Sequence, residues 1–339
     1  NSGSGATWYH EIYQDCRLTV GQDLTYTTNF TASPLFLVDV QNTAEISVDG
    51  DCNLNAAGSG ELEIRLQNTT FFRIGGNFVR DAAPNNFGEL DCTSGTPTVE
   101  YMGSSNTQLI AEDAGGGGDS FYYYNLEVDN SFGTSPQLSM EGLATVHGDL
   151  TMNDGVVLST AADPLVVDDN ATTSNASDAS HVEGYHRKVG NDAFTFPCGH
   201  DGFYAPLVIT APGSATDQFE CRYFNDMPHD AGYDSSAHDP TFSYISKVEY
   251  WQLNRTNGAS TPTVTLSWND PRSGGVGSTA LLRFAAWDGS NWDDLGAASV
   301  TGTTTTGTLD NSVGITTYDG NPFTLATTNT INPLPVELF

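Results

Sequence analysis

Three aspartates in a short segment have the side chains that a hard metal ion needs. In residues 287–294, WDGSNWDD, Asp288, Asp293 and Asp294 offer carboxylate oxygens, the ligands that calcium prefers. Their spacing does not match a known calcium-binding loop, and the glycine, serine and asparagine between them are typical of a turn between two strands. The sequence therefore favours a turn, with calcium as the candidate ligand should the carboxylates converge.

Two cysteines of the second half are predicted to form a disulfide. Cys198 ends the predicted strand 193–198, and Cys221 lies in the predicted strand 218–224, with a single strand between them. In a β-sandwich this arrangement brings the two close together, and the bond would contribute about 3 kcal/mol in the chain-entropy model. The sequence has no C-x-x-C pair or Cys/His ligand spacing, which disfavours a zinc site. The pairing of the other three cysteines stays open.

Motifs of the common catalytic centres do not occur in the sequence. It has no G-x-S-x-G nucleophile elbow, no P-loop and no H-E-x-x-H zinc motif. We interpret His147 and His186 as surface or rim residues rather than general bases. The aromatic run 121–124 could stack on sugars, but alternation predicts that every second ring is core and the others cover a neighbouring turn. We therefore predict no enzyme and no required cofactor; a glycan hydrolase using a carboxylate pair is the alternative.

The chain is strongly acidic. Its 339 residues include 42 Asp and Glu against 11 Lys and Arg, which gives a net charge of -31. This charge repels nucleic acid and anionic lipid, and no run of about 18 apolar residues is present for insertion into a membrane. The first residues lack the basic start and apolar stretch of a signal peptide. We expect the mature form of an exported protein, located outside the cell or on its surface.

A phrase in the first half repeats apolar residues in alternation around a glycine or acidic turn. It occurs at residues 18–26, 46–54, 72–80 and 144–152. Gly50 and Gly76 are 26 residues apart, and Gly148 follows 72 residues later, close to three steps of 24. A period of about 20–30 residues made of strands is typical of a β-solenoid, which we predict for residues 1–167. A β-sandwich is the alternative for this region.

The second half has longer strands with more aromatic residues. The polar stretch 168–180 lacks the apolar residues that a strand would bury, so we predict a linker or loop there. Beyond it, about seven strands separated by Gly, Asn, Asp and Pro turns predict a β-sandwich over residues 181–331. The fold class is therefore all-β, with an N-terminal β-solenoid-like region followed by a β-sandwich.

Several phrases carry a family resemblance. Residues 180–209, SHVEGYHRKVGNDAFTFPCGHDGFYAPLVI, resemble a segment of large surface proteins exported by the type IX secretion system. Upstream phrases from residue 98 onward resemble the solenoid turns of those proteins, and LPVEL near the end resembles their lead-in to a C-terminal sorting domain. The resemblance implies export and an extracellular architecture rather than an activity. Cys198 stands where that family usually has valine, and the sorting domain itself does not follow.

The last eight residues, 332–339, have the pattern of a half-buried strand. Proline favours an edge or the start of a strand, and the alternation places two apolar side chains on one face. The predicted assembly strand comprises Pro335, Val336, Glu337, Leu338 and Phe339. It would either complete the chain's own sandwich as a linker to a sorting domain, or add to the sheet of the next copy in a head-to-tail fibre.

The sequence favours an extracellular structural or adhesive surface protein. A solenoid grows by stacking and suits a stiff fibre or filament subunit, whose partners are further copies of itself and cell-surface glycans. One alternative is a carbohydrate-binding module that uses exposed aromatic rings and aspartate-bound calcium. Another alternative is a secreted hydrolase built on the solenoid.

Overall fold

The computed structural model shows two compact units, residues 1–180 and 181–339. The structure describes the chain over residues 7–30, 35–58, 61–80, 87–112 and 121–329. Nearly all regular elements in this part are β-strands, and no helix in it is long and apolar enough to cross a membrane. The all-β prediction, with a solenoid followed by a sandwich, is confirmed.

The first unit is a β-solenoid of about six turns, whose strands lie in three parallel rows. The first row holds β1 (Thr7–Ile12), β4 (Leu35–Val40), β7 (Glu61–Asn68), β10 (Phe87–Gly95), β15 (Ala144–Val146) and β18 (Leu165–Val167). The second row holds β2 (Arg17–Val20), β5 (Glu45–Val48), β8 (Phe71–Ile74), β11 (Thr98–Tyr101), β13 (Asn125–Asp129), β16 (Asp149–Asp154) and β19 (Thr172–Ser174). The third row holds β3 (Leu24–Phe30), β6 (Cys52–Gly58), β9 (Phe78–Arg80), β12 (Gln108–Ile110), β14 (Leu138–Met140) and β17 (Val157–Leu158).

Alternation within each strand builds a continuous core along the solenoid. In the second row, the register places inward side chains directly above one another from turn to turn, and all of them are fully buried. This column consists of Ile46, Phe72, Val99, Leu126 and Leu150. Because strands one turn apart lie about 4.8 Å from each other, a buried apolar column of this kind fixes the register of every pair.

Polar side chains bridge successive turns at the corner between the second and third rows. Asp23 Oδ1 accepts a hydrogen bond of 2.9 Å from the backbone N–H of Asp51, and Asp51 Oδ1 accepts one of 2.7 Å from Asn77. Asn77 Oδ1 in turn accepts a 2.7 Å bond from the N–H of Leu109. Each acidic or amide residue thus satisfies a backbone donor of the following turn, as buried or bent backbone requires.

The repeated glycine phrase belongs to two different corners. Gly50 and Gly76 lie where the second row passes into the third, and the backbone N–H of Gly76 donates to the carbonyl of Gly50 at 2.8 Å. Gly148 lies between β15 and β16, at the corner between the first and second rows. Counting Gly148 as three steps from Gly76 was therefore wrong, because the same alternation around a tight bend occurs at both corners.

All four arginines of residues 1–180 form ion pairs, and these pairs connect turns. The guanidinium of Arg73 lies 3.2 Å from Glu45 on the preceding turn and 2.7 Å from Glu100 on the following one. Arg65 likewise lies 3.2 Å from Asp91 on the next turn. Each partly exposed pair contributes about 0.2–1 kcal/mol, so the main effect is to hold acidic strands side by side.

The second unit contains a two-sheet sandwich and one small sheet. One large sheet has the order β21-β26-β28-β34-β30-β31, with β27 beside β34; the other has the order β22-β25-β29-β33-β32. The small sheet has the order β20-β23-β24. The strands are β20 (Val182–Glu183), β21 (His186–Val189), β22 (Phe194–Phe196), β23 (Cys198–His200), β24 (Phe203–Tyr204), β25 (Leu207–Ile209), β26 (Gln218–Phe224), β27 (Tyr244–Ile245), β28 (Tyr250–Asn257), β29 (Val264–Asn269), β30 (Leu282–Trp287), β31 (Trp292–Asp294), β32 (Val300–Gly302), β33 (Thr306–Asp310) and β34 (Asp319–Thr327).

Two short helical turns follow β29 and precede β30. They are α1 (Asp270–Ser273) and a 3₁₀ turn over Thr279–Leu281. The sandwich core contains fully buried rings, among them Trp251 on one sheet and Trp268 on the other. The indole N–H of Trp251 donates a 2.9 Å hydrogen bond to the carbonyl of Ala205. Burial of a tryptophan is favourable here because its one polar atom has a partner.

The structure modifies two of the predicted boundaries. The polar stretch 168–180 contains β19, which pairs with β16, so these residues belong to the solenoid unit rather than to a linker. The predicted assembly strand from Pro335 to Phe339 lies outside the described residues, and its pairing stays a prediction.

Candidate functional site

The segment 287–294 forms a tight hairpin at the edge of a sandwich sheet. β30 and β31 pair with Trp287 opposite Trp292, and the turn between them is closed by Asp288. Asp288 Oδ1 accepts hydrogen bonds from the N–H groups of Ser290 at 2.7 Å and Asn291 at 2.6 Å. These bonds, led by that of Ser290, lower the pKa of Asp288 and keep it ionised.

The three candidate calcium ligands do not come together. Asp294 Oδ2 accepts a 2.8 Å bond from the Thr241 hydroxyl, and its Oδ1 accepts a 2.7 Å bond from the N–H of Gly296. Asp288 and Asp293, by contrast, both line one cleft. Among the residues the structure describes, no group of three or more His, Cys, Asp or Glu side chains is arranged to hold a metal. The turn interpretation of this segment is therefore the one the geometry favours.

An open cleft of about 220 Å³ lies beside this hairpin. Its walls come from the β30–β31 hairpin, from the loop 314–317 and from the start of β34, which pairs with β30. Buried Ile315 and Phe323 form part of the lining, while the carboxylate of Asp319 is exposed at the rim. No lysine or arginine lines the cleft. It thus combines an apolar lining with hydrogen-bond acceptors and negative charge.

Trp287 forms an aromatic wall of this cleft. Its ring lies 5.5 Å from that of Trp292 and 5.9 Å from that of Tyr233, both in edge-to-face arrangements. Trp292 is fully buried in a small cluster on this sheet, and Trp287 and Tyr233 pack against that cluster while staying half-buried. Edge-to-face contacts of this kind hold a ring in a defined orientation. The exposed part of Trp287 is therefore a fixed surface.

A second aromatic group lies on the same sheet, around β26 and β28. Phe224 stacks on Tyr250 at 4.6 Å, and the guanidinium of Arg222 lies over the rings of both Phe224 and Tyr185 at 4.5 and 4.2 Å. Sequence reasoning missed this group, although the alternation in the segment 218–224 already placed Arg222 and Phe224 on one face.

The aromatic run 121–124 follows the alternation predicted for it. Phe121 and Tyr123 are fully buried, whereas Tyr122 is partly exposed and stacks on His147 at 4.2 Å. His147 Nδ1 lies 2.7 Å from a carboxylate oxygen of Asp168. The interpretation of these rings as core and turn-covering residues is confirmed.

Carboxylates with raised pKa lie on the second row of the solenoid. Burial raises the pKa of Glu100 and of Glu127, and neighbouring acids add to the effect, whereas Arg73 opposes it. Glu100 and Glu127 occupy neighbouring strands in register, as a pair of acids for sugar hydrolysis would have to do. Glu100 is, however, bound to Arg73 at 2.7 Å, which gives this carboxylate a role between turns.

Cys198 and Cys221 are neighbours, as predicted, but both are thiols. Their sulfur atoms lie 3.7 Å apart in the buried sandwich core, and Cys198 Sγ donates to the carbonyl of Ala205 at 3.1 Å. Burial raises the pKa of the Cys221 thiol, which slows its oxidation because the thiolate is the reactive form. Of the other three, Cys16 is exposed, while Cys52 and Cys92 are buried.

We expect mild oxidation of the folded chain to join Cys198 to Cys221. After treatment with diamide and unfolding, the number of titratable thiols should fall from five to three, and the bond should stabilise the sandwich by about 3 kcal/mol. The Cys198→Ser variant is the control and should lose no pair of thiols. Five thiols after oxidation of the wild-type protein would contradict the prediction.

His186 is a fully buried histidine without a hydrogen-bond partner for either ring nitrogen among the described residues. Its ring packs between Phe194 at 5.8 Å and Phe196 at 5.9 Å. Burial, with a contribution from the nearby charge of Lys188, lowers the pKa of His186 to about 3. The prediction of a rim residue was wrong here, because the sequence pattern places His186 on the inward face of β21.

Replacing His186 with leucine should stabilise the sandwich in acid. A folded pKa of about 3 and an unfolded pKa of about 6.5 mean that the unfolded state binds the extra proton, so His186 costs stability as the pH falls below 6.5. The expected gain is about 2 kcal/mol at pH 5 and near zero from this source at pH 8. Urea unfolding at both pH values measures it. Phe194→Leu changes the same cluster without removing a titrating group, and its effect should not vary with pH.

Comparisons with protein-family models, with curated proteins and with solved structures found no match for this chain. The function must therefore be inferred from residues and their geometry. The strongest candidate for a binding site is the cleft beside Trp287, and the strongest architectural feature is the solenoid.

Proposed function

We propose that the chain is an extracellular structural and adhesive protein of the cell surface, and not an enzyme. The observation that carries this proposal is the way each solenoid turn is tied to the next by buried columns, corner amides and ion pairs. In such a stack each turn contacts only its neighbours, which is the construction of stiff, extended scaffolds. The sandwich then supplies a separate binding surface.

Export is supported by the phrases that resemble proteins of the type IX secretion system. The low number of lysines and arginines, 11 against 42 acids, also suits a protein that works outside the cell and does not bind nucleic acid. Cell-surface glycans are the partners we propose for the adhesive role. Calcium is not required by the geometry of the hairpin, and its binding stays a proposal.

Assembly into filaments through the terminal strand is the structural half of the proposal. Deletion of residues 332–339 tests it, with sedimentation velocity and negative-stain microscopy as measurements. A truncated chain that folds but no longer self-associates would support strand addition between copies. A truncated chain that associates as the full chain does would contradict it.

The adhesive half is tested with beads that carry the full chain. We expect the beads to attach under flow to surfaces coated with glycans, more than to bare surfaces, and to release no reducing ends from soluble polysaccharides. Equal attachment to coated and bare surfaces would overturn the adhesive function. Release of reducing ends that is lost in Glu127→Gln would instead favour the hydrolase, because that carboxylate is the acid beside Glu100.

A further inference from the structure

The cleft beside Trp287 has the chemistry of a sugar site. We propose that it binds a neutral saccharide, with one face of a sugar ring on the indole and the hydroxyl groups bound to side chains around it. This inference rests on the proposed adhesive function and names its ligand class. The residues that carry it are Trp287, Asp288, Asp293, Asp319 and Asn321, all of which line the cleft.

The size of the cleft suits a single sugar unit. Its volume of about 220 Å³ is below the range of about 300–1,000 Å³ that encloses drug-sized ligands. It is also open on one side, so one residue of a longer chain could enter while the rest stays in solvent. A cleft of this form fits the end or the exposed edge of a glycan.

The indole of Trp287 offers the apolar surface that a sugar ring needs. The C–H groups of one sugar face are apolar, and they pack on a flat aromatic ring whose electron-rich face attracts their partial positive charge. Trp287 is held by Trp292 and Tyr233, so little side-chain freedom is lost when a ligand binds. The ring is thus ready before the ligand arrives.

Free acceptor atoms surround the indole. Asp288 uses Oδ1 to close the hairpin turn, and Asp293 uses Oδ1 in a 3.3 Å contact with Asn291. In the described part of the chain, no neighbouring side chain or backbone N–H donates to the second carboxylate oxygen of either residue. Sugar hydroxyl groups are donors of the kind that such oxygens bind strongly.

The opposite side of the cleft can both donate and accept. Asn321 Nδ2 donates to Asp319 Oδ2 at 3.1 Å, while the backbone N–H of Asn321 donates to Asp319 Oδ1. The amide oxygen of Asn321 stays available, and the hydroxyls of Thr316 and Thr317 line the same side. A mixture of amide, hydroxyl and carboxylate groups matches hydroxyl groups, which donate and accept at once.

The charge of the cleft restricts the ligand to a neutral sugar. Three carboxylates line it without any lysine or arginine, so uronic acids, sialic acids and sulfated sugars would meet repulsion. A cationic side chain over Trp287 is the competing ligand chemistry. The neutral amide and hydroxyl groups opposite the indole favour the saccharide, because an ammonium group cannot accept their hydrogen bonds.

The test uses the full chain on an array of neutral and acidic oligosaccharides, followed by titration calorimetry with the neutral sugar that binds best. We expect a Kd of about 1 mM for a single sugar unit. Trp287→Ala should weaken binding at least 10-fold, and Asp293→Asn, at an exposed site, should weaken it about 3- to 10-fold without loss of fold. The control Asp201→Asn removes an exposed carboxylate that does not line the cleft and should leave the Kd unchanged.

Three results would overturn the proposal. They are absence of binding to every neutral sugar, binding that both cleft variants retain, and binding of an oligolysine peptide or calcium chloride in place of sugar. The bead assay separates this failure from failure of the adhesive function. Beads with Trp287→Ala that still attach would refute the cleft but keep adhesion, whereas sugar binding without attachment would refute adhesion but keep the cleft.

Discussion

Replacing Arg272 with methionine is expected to destabilise the sandwich by about 3–5 kcal/mol. Arg272 and Glu249 form a fully buried ion pair, in which the guanidinium Nη1 lies 2.9 Å from Glu249 Oε2. The same guanidinium donates to the Ser267 hydroxyl at 3.1 Å and lies over the rings of Tyr223 and Trp251. The variant would leave the carboxylate of Glu249 buried without its cation.

The loss should depend on pH in a defined direction. Burial already raises the pKa of Glu249, and Arg272 opposes that rise. Without Arg272 the folded pKa of Glu249 increases further, so its contribution is fully present below the unfolded pKa of about 4.3 and is lost as the pH rises through the folded value. The difference between variant and wild type should therefore be larger at pH 7 than at pH 4.

Urea unfolding followed by tryptophan fluorescence measures this effect, because four of the five tryptophans lie in the sandwich. Arg283→Met is the matched control. Its guanidinium is partly exposed and 3.9 Å from Asp294, so we expect a loss below about 1 kcal/mol. The double variant Glu249→Leu with Arg272→Met removes both charges and should recover much of the loss. Equal losses for Arg272→Met and Arg283→Met would contradict a role for the buried pair.

The solenoid was predictable because its repeat leaves a physical trace in the sequence. Turns that stack about 4.8 Å apart leave no room for a side chain at the tightest bends, and Gly50 and Gly76 mark these positions. A Cβ atom on Gly76 would overlap Asp51 Oδ1 and lie 2.6 Å from the carbonyl carbon of Gly50. The assignment of Gly148 to a corner was not predictable in the same way, since apolar alternation flanks both kinds of bend.

The candidate cleft was only half visible in the sequence. Trp287, Asp288 and Asp293 are neighbours along the chain and were noticed together, although as calcium ligands and turn residues. Asp319 and Asn321 are separated from them by about 30 residues, and they join the site because β34 pairs with β30. Alternation predicts that strands exist and which face is buried, but it does not predict which strands become neighbours in an antiparallel sandwich.

Buried polar residues were the least predictable feature. His186 and Arg272 have polar side chains in segments that also suit exposed positions, yet both lie in the core. Their burial follows from the partners that tertiary structure brings to them, which for His186 are aromatic rings and for Arg272 is Glu249. Local sequence carries no record of such partners, because they come from distant strands.

Replacing Gly75 with alanine is expected to destabilise the solenoid by about 3 kcal/mol. Gly75 is a buried corner residue whose backbone N–H donates to the carbonyl of Val48 on the preceding turn at 2.7 Å. A Cβ atom there would overlap the carbonyl oxygen of Asp49 and lie 2.8 Å from its carbonyl carbon. These obstacles are backbone atoms, so no side-chain rotation can make room. The two turns would have to separate, which weakens the hydrogen bond to Val48 and opens the apolar columns beside it.

Gly133→Ala gives the matched control for this prediction. Gly133 is an exposed residue of the same unit, and an added Cβ would meet no atom within 4 Å, so we expect a change within about 0.5 kcal/mol. Urea unfolding followed by far-ultraviolet circular dichroism reports on the solenoid, while tryptophan fluorescence reports mainly on the sandwich. Gly75→Ala should shift the first signal and leave the second in place, because the added methyl group disturbs contacts between solenoid turns. Equal stability of the two alanine variants would show that the turns can separate at no cost, and would remove the steric reason for glycine at this corner.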